Sequence, residues 1–244
     1  MRQFHGEAGS TGLAGTIDSV STISINYIIL HADAEIIVIN KPSGLPVLPD
    51  GWEKDSHYLV RLLEEQIGRT WLVHRLDKTT SGVMVFARTA EAHRTLSIQF
   101  EQHVTQKVYH AIVIGSPHWQ ETIARHPLRA DAGHSHRTVV DKRLGKPSET
   151  VFRVLQRFED SSLLEVIPRT GRTHQIRAHA AAIGFPLLAD RLYRSPETVL
   201  IARPALHAES LAFIHPTSGE RVRFVAPYPA DFQKCLDQLV LRDR

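Results

Sequence analysis

The chain has 244 residues, 42% of them hydrophobic, which is enough for one large domain with a real core. No apolar run approaches bilayer length, and the N-terminus Met1-Arg2-Gln3-Phe4-His5 has no signal-peptide core, so the expectation is a soluble cytoplasmic protein without a membrane partner. A lone Cys235 excludes an internal disulfide framework and multi-thiolate metal sites, while a net charge of +3 with pI 9.1 permits a polyanionic partner without demanding one.

Residues 1–26, with Gly6, Gly9, Ser10, Gly12 and Gly15, are Gly/Ser-rich and aperiodic, and are expected to form a flexible leader. Tyr27–Leu30 and Ile36–Ile39 flank a polar turn at Asp33–Glu35 and predict an antiparallel pair. Asn40–Pro49 carries three prolines and reads as a stiff extended loop. Leu59, Leu62, Leu63 and Ile67 recur at helical spacing, with Gly68 as the stop.

Between Trp71-Leu72-Val73, expected buried, and Val83–Ala87, expected to be a central strand, lies the polar run His74-Arg75-Leu76-Asp77-Lys78-Thr79-Thr80-Ser81-Gly82. It fixes one carboxylate, Asp77, between two rigid elements. Taken alone, an Asp in such a place is as well explained by a cap or a loop ion pair. Thr89 then caps a helix burying Ala92, Leu96 and Phe100, and Lys107–Gly115 returns as a strand with Tyr109, Ala111 and Val113 on one face.

Ser116–Lys146 is polar and rich in His, Arg and Gly, and is read as a long excursion from the sheet. His134 and His136 lack an evident third ligand, so no metal is expected. Thr150–Leu155 and Leu163–Pro168 predict a hairpin, His174–Ile183 a helix, Ala208–Ile214 and Val222–Val225 a second strand pair, and Ala230–Val240 a closing amphipathic helix with Cys235 in its core face. Strands paired locally with helices interspersed argue an α+β fold.

From Arg169 to Arg194 the chain sets five arginines against Asp190 alone, a plausible phosphate-facing stretch. Within it, Thr170-Gly171 turns into a helix expected to begin near Thr173. Arg172 thereby sits at the helix mouth, where its guanidinium can reach a carboxylate or phosphate.

His74-Arg75-Leu76-Asp77 with Thr80-Ser81-Gly82, Lys107-Val108-Tyr109, and Thr170-Gly171-Arg172-Thr173-His174-Gln175-Ile176-Arg177 together resemble the RluA-type pseudouridine synthases in order and spacing. The resemblance extends to Asn40-Lys41-Pro42-Ser43-Gly44-Leu45 upstream and Leu206-His207-Ala208 downstream, covering roughly residues 27 to 230. Leu188-Ala189-Asp190 departs from it, because relatives more often carry Gly before the Asp; the departure is expected to touch a turn and not the chemistry. Residues 1–26 are too few for the S4-like domain that many relatives carry, leaving 27–244 as one catalytic domain.

The resemblance implies a mixed, mainly antiparallel central sheet flanked by helices with a central active-site cleft. It also implies isomerisation of specific uridines in structured rRNA or tRNA, without cofactor or metal, by a chain with no evident protein partner and a monomeric default state. Asp77 would act on the ribose, by attack on the sugar carbon or by abstracting a ribose proton. By the same resemblance Arg172 would pair with Asp77 and aim it, and Tyr109 would stack on the uracil, although a core strand aromatic explains Tyr109 as well. Substrate contacts would fall on His74, Arg75, Lys107, Ile176 and Arg177, with Lys78 and the basic excursion (Arg125, Arg129, Arg137, Lys142, Arg143, Lys146) as further phosphate candidates.

Two rivals stand beside this reading. A glycosidic hydrolase would call for a second carboxylate, which neither the Lys107 nor the Arg172 segment contains. A non-catalytic RNA-binding or assembly protein of the same fold would be signalled by loss of Asp77, Tyr109 or Arg172, and all three are present.

Overall fold

The computed structural model describes residues 27–49, 57–132 and 137–243; the leader expected over 1–26 and the His134, His136 pair lie outside them. β1 (Ile28–Ala32) and β2 (Ile36–Lys41) pair antiparallel as expected, and the Asp33 Oδ1 accepts from the backbone N–H of Glu35 and Ile36 to close their turn. α1 (Leu59–Ile67) buries Leu59 and Leu63 and ends at Gly68, whose φ of +83° suits a residue without Cβ. β3 (Trp71–Leu72) is a half-buried strap on the edge of β4 (Ser81–Ala87), all seven residues of which are buried. α2 (Ala90–Glu101) starts at Thr89, whose hydroxyl accepts from the Ala92 N–H at 3.1 Å.

β5 (Gln106–Ile114) is followed by more structure than an excursion. β6 (Glu121–Ala124) rejoins the sheet beside β9 (Thr150–Arg157), and β7 (Leu128–Ala132) and β8 (Arg137–Val140) form a separate two-stranded sheet. β6, β7 and β8 lie in a polar stretch without the apolar runs that mark β1 and β2, so no strand pattern stands out from sequence. β10 (Ser161–Pro168), α3 (Gln175–Ala182), β11 (Leu206–Ile214), β12 (Arg221–Val225) and α4 (Ala230–Arg242) complete the chain. Cys235 is buried in α4, as expected.

One ten-stranded sheet runs β1-β2-β4-β11-β5-β10-β9-β6, with β12 beside β11 and β3 beside β4. The fold is the expected α+β arrangement, mainly antiparallel. Its two halves meet where β4 runs parallel to β11, with Ser81 opposite His207 and Gly82 opposite Ala208. A Cβ on Gly82 would lie 2.1 Å from the Ala208 carbonyl oxygen, and φ there is +117°. Only glycine lets the two backbones approach so closely. The seam is reinforced by Ser81 Oγ, 3.0 Å from His207 Nδ1, while His207 Nε2–H donates to the Ala226 carbonyl at 3.1 Å.

The approach to Asp77 is held by His74. Its Nε2 accepts the Val85 N–H at 3.2 Å, so the proton sits on Nδ1, and its ring stacks on Phe100 of α2 at 4.5 Å. Burial, with the nearby Lys107 charge, pushes its pKa down to about 3. The ring is a neutral strut between β4 and α2 that also lines a cavity at the seam.

Two outcomes follow from these contacts. Gly82→Ala should destabilise the protein by about 3 kcal/mol or more, since the clash is with backbone and the conformation disfavours Cβ; urea unfolding measures it, and a change near zero would show that the seam can open. Between pH 6.5 and about 3 the unfolded chain binds a proton on His74 that the folded chain does not, so stability falls as pH falls through that window. Denaturation from pH 7 to 4 should therefore show a slope shallower by up to roughly 1.4 kcal/mol per pH unit in His74→Gln. Equal slopes would assign the acid sensitivity to other groups.

Candidate active site

A cavity of about 400 Å³ crosses the seam. The first half of the sheet brings Asp77 and Phe100 to it; the second brings Lys107, Tyr109, Arg172 and Ile176. A second, more open cavity of about 340 Å³ reaches the same Asp77 from the far side, past Lys78, His174 and Arg191.

Asp77 begins a tight turn closed by the Thr80 N–H on its carbonyl at 3.0 Å. The next two carbonyls are each gripped twice. Lys78 O accepts from the Gly44 N–H at 2.8 Å and from Lys41 Nζ at 3.2 Å; Thr79 O accepts from Ser43 Oγ at 2.8 Å and from Arg203 Nη1 at 3.2 Å. Lys41 is fully buried and also donates to the carbonyls of Pro42 and Leu45, both at 2.8 Å. Burial and the Arg203 charge pull its pKa down to about 7, against the attraction of Asp77. The proline-rich loop, which carried no role in the sequence reading, is thus the brace of the Asp77 turn. Arg203 is itself fixed by Asp231 of α4, at 2.6 and 3.0 Å.

The arginine that meets Asp77 is Arg177, whose Nη1 lies 3.4 Å from the Asp77 Oδ2; this corrects the expected pairing with Arg172. The helix starts at Gln175, later than the expected Thr173, because His174 takes a left-handed φ of +49°. Thr170 and the Arg172 N–H both donate to the Gln175 side-chain oxygen, at 2.7 and 3.0 Å, and hold the preceding turn outward. Arg172 is therefore exposed on the cavity wall. Arg177, one turn into the helix, points inward, with its side chain only 8% exposed.

Asp190, fully buried, grips Arg177 with two parallel bonds of 2.7 Å. Burial works against the Arg177 charge, but the hydrogen bonds and charge of Asp190, with Asp77 behind, outweigh it and raise its pKa. His174 Nε2 stands 3.6 Å from the Asp77 Oδ2, and burial makes that ring harder to protonate despite the carboxylate. The Ala189 departure lies closer to the site than expected. Ala189 holds a left-handed φ of +62° immediately before Asp190.

Tyr109 faces the cavity from β5; burial and the Asp77 charge both raise its pKa, so it stands as a neutral phenol and not a phenolate base. Ile176 is buried in a hydrophobic core cluster and lines the same cavity. Lys107 lines the cavity with a pKa lowered by burial, and Arg75 is exposed at its mouth. Sequence reasoning missed His174, Asp190 and Lys41. A signal existed for Asp190, the single acid among five arginines.

Among the described residues no group of three or more His, Cys, Asp or Glu side chains is placed to hold a metal, and no helix is long and apolar enough to cross a membrane. The model of the RNA pseudouridylate synthase family matches residues 35–182. The dual-specificity RNA pseudouridine synthase RluA of Escherichia coli is 40% identical over 207 residues, which cover 84% of this chain and 94% of that protein. Ribosomal large subunit pseudouridine synthase D of Zymomonas mobilis is 36% identical, covering 88% of this chain and 74% of its own length. The solved structure of human RNA pseudouridylate synthase domain containing 4 superposes with a TM-score of 0.71 at 27% identity, covering 87% of this chain and 93% of the human one. The cleft across the seam, the carboxylate at its floor and these likenesses agree: the chain belongs to the RluA-type RNA pseudouridylate synthases.

Proposed function

We propose that residues 27–244 act as one catalytic unit that converts specific uridines of structured rRNA, tRNA or both to pseudouridine, with Asp77 as the essential carboxylate. The observation that carries this reading is the Asp77 carboxylate, braced through its own turn and faced by Arg177, lining a cavity walled by Tyr109 and Ile176. The working form is a cytoplasmic monomer whose partner is folded RNA.

The target uridine leaves its stack at a cost of a few kcal/mol, which phosphate contacts offset. Its base enters beside the Tyr109 ring and the Ile176 side chain, and its ribose meets Asp77. Breaking the N-glycosidic bond, turning the base and bonding C5 to the same sugar carbon, with the C5 proton lost and one gained at N1, is an isomerisation with no net oxidation or reduction, so the chemistry asks for no cofactor. Asp77 serves by attack on the sugar carbon or by taking a ribose proton; in either case a fixed anion beside the ribose is what the step needs. After the carbon–carbon bond forms, the C5 proton leaves. The cavities on the two sides of Asp77 leave space for the nucleotides flanking the target. Arg75, Arg172 and Lys107 line the first cavity and provide cations for the backbone.

Tritium release from C5-labelled uridine RNA tests the assignment. Asp77→Asn and Asp77→Ala should lower release by roughly 10²–10⁴-fold or more, while RNA binding persists. Undiminished release in both variants would remove Asp77 from the chemistry; a wild type that binds RNA and releases nothing from any cellular RNA would favour the non-catalytic RNA-binding role.

Asp190→Asn tests the support. It leaves Arg177 buried beside a neutral acceptor, and breaking such a pair costs roughly 3–5 kcal/mol. A markedly lower melting temperature is expected, with at least a tenfold loss of pseudouridine formation in the protein that remains folded. Wild-type values of both would show that Arg177 needs no second carboxylate.

A further inference from the structure

Behind the Asp77 cluster, the hydroxyl of Tyr193 meets the β7–β8 hairpin. It donates to the Thr138 carbonyl at 3.0 Å and accepts from the Thr138 N–H at 3.1 Å. The hairpin ladder explains why both groups are open to it. Arg129 lies opposite Val139 and Ala132 opposite Arg137, with an irregularity between, so the Tyr193 hydroxyl serves Thr138 at the break. Thr138 is buried, and its own hydroxyl donates to the Thr173 carbonyl at 2.8 Å, immediately before His174.

The other end of Tyr193 belongs to the site. The Arg177 guanidinium lies over its ring at 5.2 Å, and the His174 ring meets it edge-on at 6.1 Å. Tyr193 closes the short 3₁₀ turn Arg191–Tyr193, which begins directly after Asp190. One turn thus carries the carboxylate that grips Arg177 and the phenol that grips the hairpin. Arg194 just beyond holds a left-handed φ of +65°. Leu128 and Ala178 pack with Tyr193 as a small buried cluster, so the hairpin is seated on α3 through this residue.

We propose that Tyr193 is a positioning residue that ties the basic β7–β8 hairpin to the Asp77–Arg177–Asp190 cluster, keeping RNA held by the hairpin in register with the catalytic carboxylate. This rests on the RNA-modifying function proposed above. The hairpin and the segments that bound it carry Arg125, Arg129, Arg137, Lys142, Arg143 and Lys146, with Arg129 and Arg125 already paired to Asp141 and Glu149. A hairpin outside the main sheet has no ladder of its own to fix it against the cleft; Tyr193 holds it there, together with the Thr138 hydroxyl on the Thr173 carbonyl and Leu128 against Ala178.

Tyr193→Phe keeps the ring beside Arg177 and removes the tie; Tyr193→Leu removes both. In Tyr193→Phe the Thr138 amide should exchange hydrogen at least tenfold faster, and KM for folded RNA should rise about tenfold while the single-turnover rate at saturating RNA falls less than threefold. Tyr193→Leu should lower that saturated rate at least tenfold as well. Unchanged Thr138 exchange in Tyr193→Phe, or faster exchange with unchanged KM, would overturn the proposal. A wild type that forms no pseudouridine would overturn the functional reading instead, and the Thr138 exchange alone would then decide the tie.

Discussion

The site depends on the close approach of β4 to β11 at Gly82 and Ala208. Asp77 enters from the half of the sheet made by residues before 90, whereas Tyr109, His174, Arg177 and Asp190 all come from the other half. Nothing but this seam and the groups bridging it fixes how far the carboxylate stands from its partners. Two residue pairs make the parallel ladder, a short one, and it is supplemented by polar contacts. Ser81 meets His207, Arg203 reaches the Thr79 carbonyl, and the Gln99 side chain of α2 bonds both the N–H and the carbonyl of Ile214 on β11, each at 2.8 Å. A larger residue at position 82 would separate the halves and open the site together with the fold.

Charge buried beside the seam is organised for direction more than for stability. One guanidinium, Arg177, stands between two carboxylates, and its bonds to them are unequal: two of 2.7 Å to Asp190 and one of 3.4 Å to Asp77. The strong pair sets the guanidinium plane, and the contact to Asp77 is the weaker of the two. Buried ion pairs of this kind seldom add net stability, because desolvation consumes most of the Coulomb gain. Lys41 follows the same pattern with neutral acceptors. Three carbonyls replace its water shell, and in return its ammonium joins the proline-rich loop to the Asp77 turn.

What the sequence made legible follows from range. Strand pairs such as β1–β2 and β9–β10 are local, apolar and β-branched and are separated by turn residues, so they could be read directly. Asp77 stood out because a polar run between two apolar ones constrains the chain on both sides. Which arginine would face it did not, since that depends on where α3 starts, and a single left-handed residue, His174, delays the start to Gln175 and turns Arg172 outward. Asp190 and Lys41 act across the sheet, through contacts that no local pattern records. The Ala189 position was visible as a departure from relatives, but its connection to Arg177 through Asp190 exists only in three dimensions.

The arginines of this chain divide by what encloses them, which separates two tasks that composition merges. Arg177 and Arg203 are buried and bonded to carboxylates and carbonyls, which fix their guanidinium planes inside the fold. Arg75 and Arg172 stand exposed at the mouth of the cavity. Salt therefore acts on the two groups unequally: it screens the exposed cations and leaves the enclosed pairs around Asp77 nearly untouched. A modest net charge thus conceals a division: some cations stand exposed at the cleft, while others are enclosed and fix the geometry inside the fold.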